Sequence, residues 1–256
     1  SAVYAPCGPT VVRVVNPDQS AAESRDVFRY VINTVAFASR PPITAGSGYV
    51  SLSTGDWNGD GNGDVLAVKG NTGMYTYFMG DGRLGFQAIA PPSMIETYNR
   101  TIGVNLRNSK QKDYILYNTA AANFIALAGD PLADFKVIGS RQSIQARYVY
   151  EYLHSGAASD IVVVTNPLGE LQFFKNNGSG VLGPAPSSPT INDVSMAGFG
   201  DVDGDQILDL ITISQSGTQT LNYYKGTSFS SYTKQTTIPL TAPRQLLVAD
   251  IDNDGK

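Results

Sequence analysis

Histidine and cysteine, the side chains behind much nucleophilic, general-base and zinc chemistry, are almost missing here: the 256 residues hold one of each, His154 and Cys7. A single cysteine excludes an internal disulfide, and one residue of each kind excludes a zinc site built from several of them. Cys7 either pairs with a disulfide partner outside this sequence, as an odd cysteine in a secreted protein suggests, or is a thiol without a structural role. His154 stands beside Ser155 with no Asp or Glu spaced to orient it, so a Ser-His-Asp arrangement has no sequence support. A Gly-x-x-x-x-Gly-Lys-Ser/Thr phosphate loop is absent. Charged residues make up 16%, below the usual quarter. The net charge of -4 and pI near 4.9 leave no basic excess for phosphates, which argues against nucleic acid. No apolar run approaches the roughly 18 residues of a membrane span, and the chain opens Ser1-Ala-Val-Tyr, as a trimmed secreted chain does.

What is abundant points to strands. The hydrophobic fraction is 42%, with 14 Tyr, many β-branched residues, and 26 Gly and 14 Pro for turns. The length suits one large β domain or two smaller ones. Two nonapeptides place an oxygen-bearing side chain at every other position: Asp56-Trp-Asn58-Gly-Asp60-Gly-Asn62-Gly-Asp64 and Asp201-Val-Asp203-Gly-Asp205-Gln-Ile207-Leu-Asp209. A third copy, Asp250-Ile-Asp252-Asn-Asp254-Gly-Lys256, stops with the sequence. Calcium takes six to eight oxygens at short range. Side chains at positions 1, 3, 5 and 9, with the carbonyl of Asn62 or Ile207 at position 7, let one loop wrap such an ion. Without a cation the carboxylates repel one another. An EF-hand does not fit, because its bidentate Glu at position 12 falls on Ala67 and Thr212, and because the loops run into the strand-like Asp64–Lys69 and Asp209–Ser214 rather than helices.

The last Asp of the loop recurs. Asp64, Asp113, Asp160 and Asp209 lie 49, 47 and 49 residues apart, each followed by an apolar β-branched or aromatic run. A period near 50 marks a propeller or solenoid array. Each unit has a strand before the loop (Ala146–Tyr150, Arg244–Ala249) and one after it. A third follows (Met74–Phe78, Asn123–Leu127, Leu171–Phe174, Leu221–Tyr224), then a Gly-rich corner and a fourth extended stretch. Four antiparallel strands per unit describe a propeller blade, whereas a parallel β-helix needs shorter coils. The predicted fold is all-β, a propeller of four-stranded antiparallel blades with calcium-binding inter-strand loops. Residues 45–256 form about four blades and the start of another. Residues 1–44 form N-terminal strands or a partial blade, with Val11–Val15 and Val27–Ile32 extended and Asp26 imitating the anchor. A chain that stops inside a loop is expected to be part of a larger ring.

The order strand, D-x-[DN]-x-D-G-x-x-D, strand, strand, G-D-G resembles the FG-GAP/VCBS repeat of integrin α-chain heads and many secreted propellers. Met79-Gly-Asp-Gly-Arg-Leu-Gly-Phe86 and Asn176-Asn-Gly-Ser-Gly-Val-Leu-Gly183 resemble its Gly-Asn-Gly-Asp-Gly-Thr-Phe-Gly ending. The resemblance implies calcium ligands at Asp56, Asn58, Asp60, Asn62 and Asp64, at Asp201, Asp203, Asp205, Ile207 and Asp209, and at Asp250, Asp252 and Asp254. It does not carry to unit two (Asn105, Arg107, Ser109, Gln111, Asp113) or unit three (Tyr152, His154, Gly156, Ala158, Asp160). Those loops are expected to be held by hydrogen bonds, with Asp113 and Asp160 tying the turn.

Calcium in such loops is structural, since one loop saturates the ion. A binding role follows, on a propeller face that engages a protein or glycan ligand: an extracellular or cell-surface adhesion module, or a lectin. A non-catalytic or catalytic module of a secreted carbohydrate-active enzyme is the second alternative, although no catalytic constellation is visible. Tyr75, Tyr77, Tyr98, Tyr148, Tyr150, Tyr152, Tyr223, Tyr224 and Tyr232 either stack on a ligand or pack between blades. Trp57, at loop position 2, has the same two readings. It aligns with Leu106, Leu153, Val202 and Ile251, so no aromatic pocket repeats from unit to unit. Asn99 and Asn177 head glycosylation sequons.

Overall fold

The computed structural model describes residues 46–250, except 71, 73, 84, 90–96, 131–135, 154–157 and 187–188, and the backbone of two N-terminal strands. Two compact units divide the chain, Ser1–Thr44 and Ala45–Lys256. In the first, β1 (Thr10–Val15) pairs antiparallel with β2 (Ala21–Phe28), Val15 lying opposite Ala21. Asp26 falls inside β2 rather than ahead of a strand. Residues 29–32 lie outside the described residues.

In the second unit four sheets of four antiparallel strands follow one another. Blade 1 holds β3 (Tyr49–Gly55), β4 (Asp64–Lys69), β5 (Tyr75–Gly80) and β6 (Phe86–Ile89). Blade 2 holds β7 (Arg100–Val104), β8 (Asp113–Tyr117), β9 (Phe124–Leu127) and β10 (Val137–Gln142). Blade 3 holds β11 (Ala146–Tyr152), β12 (Asp160–Thr165), β13 (Leu171–Asn176) and β14 (Leu182–Pro184). Blade 4 holds β15 (Val194–Gly200), β16 (Asp209–Ser214), β17 (Thr220–Ser228) and β18 (Ser231–Pro239). In every blade the strands pair in chain order.

First strands of successive blades lie side by side, which makes the array a propeller. β3 meets β7, β7 meets β11 and β11 meets β15. Ser53 Oγ and Thr101 Oγ1 share a hydrogen bond of 3.0 Å, Glu151 Oε1 accepts the Asn105 N–H at 2.6 Å, and Tyr150 Oη accepts the Ala197 N–H at 3.1 Å. Residues 244–249, expected as a strand, are not in a ladder. They run along β15, where Val248 fills the space over Gly198 and Gly200.

Packing on both faces explains why the second strands are apolar throughout rather than alternating. In β8, Tyr114 and Leu116 face the core shared with blade 1, while Ile115 and Tyr117 face the core shared with blade 3. In β12, Ile161 and Val163 face blade 2, while Val162 and Val164 face blade 4. Burial of each such side chain contributes about 1.5–3 kcal/mol.

Candidate metal centre

Both complete acidic loops span the first and second strands of a blade, β3–β4 and β15–β16, and fold around their own side chains. In blade 1, Asp56 Oδ1 accepts the Gly59 N–H at 2.7 Å and its Oδ2 accepts the Gly61 N–H at 2.9 Å. Asn58 Oδ1 accepts from the Asp60 N–H (3.0 Å), and Asp60 Oδ1 from the Asn62 N–H (2.8 Å). Gly59 and Gly61 have φ of 76° and 87°, the left-handed region that glycine enters without strain. Blade 4 repeats the scheme: Asp201 accepts from the N–H groups of Gly204 (2.7 Å) and Gln206 (2.8 Å), and Asp205 from that of Ile207 (2.9 Å).

The last Asp of each loop begins the second strand and ties three segments together. Asp64 accepts the N–H of Trp57 at 2.9 Å and of Gly80 at 2.8 Å. Asp113 accepts from Leu106 (3.2 Å) and Gly129 (3.1 Å), and Asp209 from Val202 (2.9 Å) and Gly226 (2.8 Å). Asp160 accepts from Asn176 at 2.7 Å. A Cβ on Gly80, Gly129 or Gly226 would collide with the carbonyl oxygen of Gly63, Lys112 or Leu208. This close approach accounts for the first glycine of the G-D-G corner. Blade 3 has Asn176 there, and its Nδ2 donates to the Ser159 carbonyl at 2.9 Å.

The four anchors, all buried, differ in their counter-charge. In blade 2 the guanidinium of Arg107 grips Asp113 Oδ1 through Nε at 2.8 Å and Nη2 at 2.7 Å. In blade 3 Lys175 Nζ lies 2.9 Å from Asp160 Oδ2. In blade 4 the anchor Asp209 accepts the Tyr223 hydroxyl at 3.2 Å, and Lys225 pairs instead with Asp203, and with Asp205 at 2.7 Å. Among the described residues no Lys or Arg pairs with Asp64. Burial raises its carboxyl pKa; hydrogen bonds from Gly80 and Trp57 oppose this, while Asp60 and Asp56 add repulsion. Asp60 is lowered, chiefly by the Asn62 N–H and then by the Asn58 side chain.

The residues present fit a hard cation. Ligand oxygens of Asp201, Asp203 and Asp209 lie within 4.8 Å of one another, the spread of ligands around an ion bound at 2.3–2.6 Å. Among the described residues this is the acidic group that converges so closely. Blade 1 offers Asp56, Asp60 and Asp64 with the neutral oxygens of Asn58 and Asn62. In the third copy Asp250 is exposed, while Asp252 and Asp254, like His154 and Cys7, lie outside the described residues.

One feature was not foreseen. Arg107, Lys175 and Lys225 serve as built-in cations; a base at loop position 3, or just before the residue that caps the anchor, is the signal for them. Trp57 is fully buried, its ring 5.4 Å edge-on from Tyr114, over Gly55 and Gly103. It packs on the neighbouring blade and is closed to a ligand. Tyr75, Tyr77, Tyr98 and Tyr152 are buried as well, whereas Tyr148 is 41% exposed.

The family model for an FG-GAP-like repeat matches residues 201–256, the span of the blade 4 loop and the third acidic copy. The structure of BBS1N in complex with ARL6DN aligns with a TM-score of 0.51 at 13% identity, over 77% of this chain and 59% of that one. The Tc holotoxin pore of Photorhabdus luminescens aligns with a TM-score of 0.42 at 15% identity, over 92% of this chain and 11% of that one. This chain therefore spans less than two thirds of either. No curated protein sequence matches it. The likeness to BBS1N is one of fold.

Proposed function

We propose that this propeller with an FG-GAP-like repeat is an extracellular, calcium-stabilised platform for binding another protein. The observation that carries the reading is the need of a buried anchor carboxylate for positive charge. Arg107 meets it in blade 2 and Lys175 in blade 3, whereas the blade 1 loop has three acids and no basic partner among the described residues. Asp56, Asn58, Asp60 and Asp64 with the Asn62 carbonyl, and Asp201, Asp203, Asp205 and Asp209 with the Ile207 carbonyl, would hold the ions. Calcium supplies charge neutralisation there and pins the first strand to the second. Extracellular calcium fills sites even as weak as about 10⁻⁴–10⁻³ M, and the binding free energy adds to folded-state stability.

A protein partner fits better than repeated sugar pockets. Loop position 2 is buried as Trp57 and Leu106 but exposed as Leu153 (59%) and Val202 (43%), so no aromatic shelf recurs. Leu153 and Val202 instead give neighbouring blades apolar contacts at the loop-bearing end, on a rigid scaffold. The BBS1N structure, solved with ARL6DN, supports this fold as a binding platform. Asn177 is exposed at a corner while Asn99 Nδ2 is held by Thr119 Oγ1 at 3.0 Å, so Asn177 is the sequon open to a glycan. Catalysis is not part of the proposal, since the sequence offers one histidine and one cysteine.

The test pairs a glycan array with capture of extracellular proteins on the immobilised chain, in calcium and in chelator. Saturable capture of one protein, lost on Leu153→Asp and Val202→Asp, supports the reading. Binding confined to sugars overturns it in favour of a lectin.

A further inference from the structure

The residue that caps each anchor through its N–H is Gly80, Gly129, Asn176 or Gly226. The side chain just before it is Met79, Ala128, Lys175 or Lys225. Blades 3 and 4 thus aim a lysine from the third strand at the loop, and blade 1 puts an apolar side chain in its place.

The two lysines meet different loops. Lys175 neutralises Asp160, whose loop carries no acid at positions 1, 3 or 5. Lys225 enters a loop with a full acidic set and bonds to Oδ2 of both Asp203 and Asp205. Their other oxygens are also engaged: Asp203 Oδ1 accepts the Asp205 N–H at 3.3 Å, and Asp205 Oδ1 accepts the Ile207 N–H at 2.9 Å. An ion drawing in Asp203 and Asp205 has to take oxygens that the ammonium holds. In blade 1 the corresponding Asp60 Oδ2 accepts only a neutral amide, from Asn58 Nδ2 at 2.9 Å.

We infer that Lys225 is an internal competitor for the blade 4 ion: the loop exchanges ammonium for calcium, so blade 4 binds calcium more weakly than blade 1 and keeps its shape without it. The inference rests on the calcium reading above. A lysine is a mobile point charge on a flexible stem, so its release is a modest obstacle, of about three- to tenfold in affinity.

Equilibrium dialysis of the full chain against calcium tests this, in an Asp60→Ala background that silences the blade 1 loop. Lys225→Met and, as a second variant that keeps polarity, Lys225→Gln should each tighten the remaining site about three- to tenfold. Amine-reactive labelling of Lys225 in the parent should rise as calcium is added. Unchanged or weakened affinity in both variants, with calcium still bound, overturns the inference and leaves the calcium reading standing. No calcium bound by parent or variants overturns both.

Discussion

Arg107 and Asp113 form an ion pair inside a loop whose relatives carry acids: the guanidinium contacts Asp113 Oδ1 through Nε at 2.8 Å and Nη2 at 2.7 Å, and its Nη2 also donates to the Gly129 carbonyl at 2.9 Å. Position 3, an expected metal ligand in blades 1 and 4, here supplies the cation itself. Arg107→Ala should destabilise the protein by about 1–3 kcal/mol, since it strands a fully buried carboxylate while the lost base is itself 30% exposed. Urea unfolding should show this loss equally in calcium and in chelator.

The G-D-G corner makes a steric prediction. Gly80→Ala drives a methyl group into the Gly63 carbonyl and should cost about 1–3 kcal/mol by overpacking. Gly183→Ala, with open space around it, should be nearly neutral. Thermal denaturation of the two variants checks the contrast.

These two positions show what could be read from the sequence. The anchors were legible because Asp64, Asp113 and Asp209 each bridge a loop N–H and a third-strand N–H, so the acceptor side chain is needed whether or not an ion is bound. That requirement keeps the period visible even where the other ligands are lost. Burial of the second strands was legible from unbroken runs such as Ile161-Val-Val-Val164. Lys225 was not, because it follows Asp209 by 16 residues and reaches the loop from the third strand of the blade. Trp57 was ambiguous because its host, the gap over Gly55 and Gly103, is built by two strands from different blades. Residues 244–249 read as a strand from their β-rich pattern, yet the described chain gives them no ladder partner.

Blade 4 departs from blade 1 at loop position 6, where Gln206 (φ 67°) stands in place of Gly61 (φ 87°). Both donate their N–H to Oδ2 of the first Asp. Left-handed backbone disfavours a side chain by about 1–2 kcal/mol, and glycine gives back part of that in chain entropy. Gln206→Gly should therefore stabilise by about 0.5–1 kcal/mol and Gly61→Ala should destabilise by about 1 kcal/mol, both read from denaturant midpoints.

Asp64 sets a pH dependence. Its carboxyl is raised, first by burial, so the folded state holds this proton more tightly than the unfolded chain does. The sign follows: in chelator its contribution is best below the unfolded value of about 4 and is lost as pH rises through the folded-state value. Calcium needs the carboxylate, so the trend should reverse when the ion is present. Asp64→Asn should remove both trends, as measured by stability against pH just above about pH 4.

Thermal melting with metal analysis, in calcium and after chelation, bears most directly on calcium as a loop counter-charge, structural above all in blade 1. The wild type should lose about 5–10 °C on chelation, which corresponds to an ion at about a hundred times its dissociation constant. Asp60→Ala and Asp205→Ala should each bind one ion fewer, and Asp113→Ala should bind as many as the wild type. A melting temperature indifferent to chelator, with no calcium retained, would contradict the account.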